Sequence, residues 1–214
     1  ANPKKSDNFP TRLTLKEAFH FPVASPEARW DIVIGGVALF LFIIGWIMNL
    51  GNRMNVVSRF YRGDKPYYRG LRPWGQTFQR GCVSFFAIAS YLSPAALFGL
   101  LAFVARNHHM DLPHYFFALL SATCFVLAVF TLPGGMTVYA VEGRTDVLRN
   151  PVCAFSRAWA RRKMYLHAWL ISLASILLSF LGLLVFVVGF LFASVWAWEV
   201  VGYVFTVAMY NEPE

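Results

Sequence analysis

Residues 164–210 read MYLHAWLISLASILLSFLGLLVFVVGFLFASVWAWEVVGYVFTVAMY, and Glu199 is the only Asp, Glu, Lys or Arg among them. As one helix, at 1.5 Å per residue, this stretch would be roughly 70 Å long, against a bilayer hydrocarbon core of about 30 Å. It therefore predicts a tight helical hairpin, with arms at 164–183 and 188–210 and a turn near Gly182–Gly189. No polar residue marks that turn.

Working outward, Cys82–Ala105 and His114–Val141 are also free of charged side chains. They predict spans at 82–105 and 114–132, and Trp30–Leu50 supplies a further apolar segment at 30–50. The whole chain is 57% hydrophobic and 14% charged, where a soluble domain carries about 25% charged residues. Backbone groups in lipid must be satisfied internally, which leaves helices or a closed barrel. The apolar runs are continuous rather than alternating, which argues against a barrel. The expected fold is all-α: a polytopic transmembrane bundle of four to five spans (residues 30–214) preceded by a polar arm (residues 1–29). The arm has no apolar core before a cleavage site, so no signal peptide is expected.

Most of the charge lies between these runs. Segment 51–81 holds seven Lys and Arg and segment 142–163 holds six, whereas Arg106–Pro113 holds one. Both basic segments are expected to lie on the membrane surface. The positive-inside rule places them, with the C-terminus, on the cytoplasmic side of a prokaryotic inner membrane. Trp30–Leu50 is read as a full crossing, which would put the N-terminal arm on the opposite side; a re-entrant segment would keep the arm inside. Within the arm, Leu13–Phe21 reads as an in-plane amphipathic helix with Leu13, Ala18 and Phe21 toward lipid. Gly75–Gly81 reads as an interfacial re-entry. Asn150 followed by Pro151 starts a surface helix, with Val152, Phe155 and Trp159 on one side.

Few residues suggest chemistry. Glu199 is the lone intramembrane carboxylate, either a polar anchor or ion-linked site, or a protonated side chain hydrogen-bonded to Ser172, Ser175 or a backbone carbonyl. Pro94 and the Pro133-Gly134-Gly135 run are candidate helix breaks. His108, His109 and His114 could ligate a metal or a pigment magnesium, but with only Asp111 nearby a loop of solvated histidines is the simpler reading. Cys82, Cys124 and Cys153 form no metal-binding spacing. Arg53, Arg59, Arg62, Arg157, Arg161, Arg162 and Lys163 are expected to contact lipid headgroups. Lipid attraction accounts for these basic segments without nucleic acid. No catalytic set is found, so neither enzyme activity nor a cofactor is expected.

Several short motifs carry a resemblance. They are Ala18-Phe-His-Phe-Pro22, Val57-Ser-Arg-Phe-Tyr-Arg-Gly63, Leu71-Arg-Pro-Trp74, Phe78-Gln-Arg-Gly81 and Leu132-Pro-Gly134. With the surface helix and the closing hairpin, the pattern from Leu15 to Tyr210 resembles the bacterial and archaeal DUF4013 family of membrane proteins. Gly51-Asn52 departs from the Gly-Tyr typical there. The resemblance implies an integral membrane protein with two surface segments and brings no catalytic residues. The expected function is a non-catalytic accessory or scaffold subunit of a larger membrane complex, respiratory or photosynthetic, packing on other integral membrane subunits and lipid. The alternative is a small transporter or a lipid-handling, membrane-organising protein using Glu199 and the breaks at Pro94 and Pro133.

Overall fold

The structure is a computed structural model that describes residues 5–7, 9–64 and 74–211, the Arg149 side chain excepted. Among these residues every regular element is a helix: α1 (Leu15–His20), α2 (Pro26–Ala38), α3 (Phe42–Arg62), α4 (Trp74–Asn107), α5 (Asp111–Glu142), α6 (Asp146–Arg149), α7 (Pro151–Ala160), α8 (Arg162–Phe180) and α9 (Phe186–Tyr210). Four stretches are long and apolar enough to cross a membrane: Pro26–Arg62, Trp74–Asn107, Asp111–Glu142 and Arg162–Tyr210. The chain is a multi-pass helical membrane protein. Residues 65–73, in the middle of the basic segment 51–81, lie outside the described residues.

The closing hairpin forms where its length and glycines predict. α8 ends in a 3-10 turn at Leu181–Val185, and α9 starts at Phe186 with φ +61°. A Cβ on Gly182 would sit 2.6 Å from the Gly189 carbonyl oxygen, so the two backbones touch there. The rings of Phe180 and Phe190 stack across the turn at 5.5 Å.

The first apolar segment does not cross as one helix. α2 closes in a 3-10 turn at Leu39–Leu41, and Phe42 has φ +50°, the same device as Phe186. α3 then folds back along α2. The Asn49 side-chain amide donates to the Gly35 carbonyl at 3.0 Å and to the Gly45 carbonyl at 2.9 Å. In one continuous helix Gly35 and Asn49 would be about 21 Å apart. The 13 residues of α2 reach only about 20 Å, short of a core of about 30 Å. Residues 30–50 are therefore the two arms of a helical hairpin and not one continuous helix. Two short arms are tolerated because both dock on α9: a Cβ on Gly35 of α2 would meet Val195, and one on Gly202 of α9 would meet Val57 of α3.

This folding back fixes where the N-terminal arm lies. The Ser6 amide donates to the Tyr61 carbonyl at 3.0 Å, and Phe9 packs on Phe60 and Tyr61 at the far end of α3. Phe21 packs on Tyr203, the Trp196 indole donates to the Phe19 carbonyl, and the Asn211 side chain donates to the Thr11 carbonyl. Arm, C-terminus and the α5–α8 connection thus share one end of the molecule, and the α4–α5 loop lies at the other. α1 is not a lipid-facing helix, because Leu13 and Ala18 are buried in the protein core. Its polarity pattern is that of a segment covered on one face, and here α8 and α9 cover it.

The helices also run beyond the expected spans. α4 begins at Trp74, so Gly75–Gly81 are its first turns and not a separate interfacial piece. α5 runs through Pro133 to Glu142. α7 packs through Ala154 and Ala158 and leaves Val152 and Trp159 exposed, as a surface helix should.

With Cys82, Cys124 and Cys153 replaced, a cysteine at Phe42 should resist an impermeant maleimide from both sides. Cysteines at His109 and Gly143 should label from opposite sides. Labelling of the Phe42 position from the His109 side would restore a full crossing.

Candidate functional site

Both predicted helix breaks, Pro94 and Pro133, lie inside continuous helices. Pro94 removes the donor that would bond the Ser90 carbonyl, and the Ser93 hydroxyl donates to that carbonyl instead at 2.9 Å. Beside Pro133 the next rung of the ladder, from Gly134 to Phe130, is bridged from another helix. The Tyr165 hydroxyl of α8 donates to the Phe130 carbonyl at 2.5 Å and accepts from the Gly134 amide at 3.1 Å. It thus stands inside the opened ladder of α5. Gly134 permits the approach, since a Cβ there would be 3.0 Å from the Tyr165 oxygen.

Two other polar groups tie helices together. The Asn55 amide donates to Thr77 Oγ1 at 2.9 Å, and Arg80 donates to Asn55 Oδ1 at 2.8 Å, joining α3 to α4. Glu142 Oε1 accepts from Arg157 at 3.1 Å and from the Tyr210 hydroxyl at 3.0 Å, joining α5, α7 and α9. Nearby, the exposed Arg144 guanidinium donates to Asp146 at 2.6 Å and holds that carboxyl below its ordinary range.

The predicted headgroup contacts divide. Arg62, Arg162 and Lys163 are exposed, and Arg59 and Arg161 half-buried. Arg157 is engaged with Glu142. Arg53 is a correction: it is buried, with its guanidinium 5.1 Å from the Trp198 ring. The reversal of α3 turns Arg53 inward against α9.

Arg53 and Glu199 line one cavity of about 260 Å³ between the two hairpins. Leu39, Trp46, Phe190 and Leu191 form its apolar side, and Asn49, Asn52 and Ser194 also line it. Among the described residues, three that line it carry a buried polar atom with no hydrogen-bond partner: Asn52 Oδ1, Arg53 Nε and Glu199 Oε1. Asp31, buried on α2, is within electrostatic reach of Glu199. Ser175 donates to the Ser172 carbonyl and not to Glu199. Sequence singled out Glu199 but missed Arg53, Asn52 and Asp31 as its neighbours. The signal was the polar run Asn49, Asn52, Arg53, Asn55 within α3, which reads as a surface exit until the hairpin is known.

A second cavity, of about 910 Å³, lies between α4, α5 and α7. Pro94, Cys124, Leu127 and Phe155 help line it, and so does Tyr91, whose buried hydroxyl has no partner. The histidines do not converge on a site. His114 Nδ1 lies 3.0 Å from the Ala102 carbonyl, tying α5 to α4, while His108 and His109 are exposed. Among the described residues, no three His, Cys, Asp or Glu are placed to hold a metal ion. Comparison with family models, with curated proteins and with solved structures finds no match for this chain.

Proposed function

We propose that this chain is a non-catalytic subunit of a larger membrane assembly, held by partner membrane helices and lipid. The observation that carries the reading is the Leu39–Phe42 turn. It lies about 20 Å along α2 from the start of that helix, its backbone is irregular, and Phe42 is 84% exposed. Irregular backbone at membrane depth is tolerated only where protein covers it or water fills a cavity beside it. The flanking residues Leu41, Ile43 and Ile44 are also exposed and apolar. A partner helix is the cover that suits them. The polar groups above support the same reading, because Tyr165, Asn55 and Glu142 are spent on holding helices together. The resemblance to DUF4013 membrane proteins agrees with it and adds no chemistry. The positive-inside rule further places the shared end of the molecule in the cytoplasm.

A photo-crosslinking residue at position 42, activated in native membranes, should give one protein adduct of defined mass. The same adduct partner should co-migrate with the chain on a native gel. Crosslinks to lipid alone, with the chain running as a free monomer, would overturn the proposal. The 910 Å³ cavity favours a second reading, lipid handling, since it is largely apolar and Pro94 lies in its wall.

A further inference from the structure

The cleft between the two hairpins has the chemistry of an amphiphile site. Its unpartnered atoms are two acceptors, Asn52 Oδ1 and Glu199 Oε1, and one donor, Arg53 Nε. Buried polar atoms left in this state are costly, and a buried charge without a partner more so. A group that satisfies them must offer at least two N–H or O–H donors and one acceptor oxygen. Glu199, when ionised, accepts most strongly from a cationic donor. The wall contributed by Trp46 and Trp198 also suits a cation.

The cavity's position says where that group comes from. Asp31 is five residues into α2, about 8 Å below the start of that helix. The exposed Trp30 beside it is a residue of the membrane–water interface. From Arg53 to the hairpin tip at Phe42 is 11 residues of α3, about 17 Å, close to half of a core of about 30 Å. Leu39, Phe190 and Leu191 lead from the polar end toward that tip. The polar end therefore lies at headgroup depth, with an apolar path one leaflet long beneath it. At about 260 Å³ the cavity is smaller than the roughly 300–1,000 Å³ of pockets that enclose whole ligands. It fits a head whose tails run out into the bilayer.

We propose that this cleft binds one phospholipid with a primary ammonium headgroup, its ammonium on Glu199 and Asn52 and its phosphate on Arg53. A primary ammonium brings three donors. A quaternary ammonium brings none, and a glycerol headgroup brings no positive charge. The site is independent of the partner reading above.

The test is native mass spectrometry of the full chain in mild detergent, with phosphatidylethanolamine, phosphatidylcholine or phosphatidylglycerol of identical acyl chains added in turn. One phosphatidylethanolamine should be retained per chain, about tenfold more tightly than the other two, the scale of a charge-assisted hydrogen bond. Glu199→Gln should abolish that preference. Ser194→Phe, which fills the cavity and leaves the charges in place, should lower retention of phosphatidylethanolamine to the level of the other lipids. Equal retention of phosphatidylcholine, or an unchanged preference in both variants, would overturn the proposal. So would retention of soluble glycerophosphoethanolamine as strong as that of the lipid, since the source would then be a free headgroup.

Discussion

Gly81→Val should lower the stability of the purified protein by about 3 kcal/mol, the upper end for overpacking a tight contact. At this point α3 and α4 meet backbone to backbone. A Cβ on Gly81 would overlap the Ile47 carbonyl oxygen, and a Cβ on Gly51 would overlap the Thr77 carbonyl oxygen. Close approach of this kind is how membrane helices gain packing energy when no hydrophobic effect drives them together. Neither obstacle is a flexible side-chain end, so the helices must separate. That separation would also stretch the Asn55–Thr77–Arg80 hydrogen bonds just above it. Thermal unfolding followed by size exclusion checks the prediction. Gly75→Ala is the internal control: it lies on the same helix, with nothing within 4 Å of its Cβ position. Its melting temperature should be unchanged or slightly raised.

The second large effect is expected at Tyr165, which is fully buried. Tyr165→Phe keeps the ring contacts with Phe130 and Phe205, both at 5.0 Å, and deletes only the oxygen. The Phe130 carbonyl and Gly134 amide then lose their shared partner. The loss should be about 1–3 kcal/mol, the cost of leaving buried polar groups unsatisfied. Hydrogen exchange separates this account from a general loosening. Exchange at the Gly134 amide should rise while that of α9 near Val204 stays protected. An unchanged Gly134 rate would mean that α5 closes its own ladder and the hydroxyl is dispensable.

The two hairpins show what sequence reveals and what it hides. The 164–210 hairpin is legible because its length excludes a single crossing and its glycines sit where the arms must touch. The 26–62 hairpin is not. Its apolar part is about as long as one ordinary span, and the turn Leu39-Phe-Leu-Phe42 contains no glycine, proline or polar residue. What permits the turn is the docking of both arms on α9, which lies some 150 residues away in sequence. The same lesson applies to the candidate site. Glu199 stands out as a lone charge in an apolar run, whereas Arg53 is hidden among surface-like basic residues. Only the reversal of α3 brings the two to one cavity. Prolines 94 and 133 mislead in the opposite direction, because the Ser93 hydroxyl takes the carbonyl freed by Pro94 and the Tyr165 hydroxyl bridges the rung beside Pro133.

The folding of both chain ends and both hairpins to one end of the molecule bears on how the protein enters a bilayer. Among the described residues, the polar connection at the opposite end is the short one from Arg106 to Asp111. Arg106 and Asp111 carry opposite charges, so its passage moves no net charge against the membrane potential. The α2–α3 and α8–α9 turns are made of Leu, Gly, Val and Phe. Neither hairpin turn therefore carries a charged side chain into or across the bilayer.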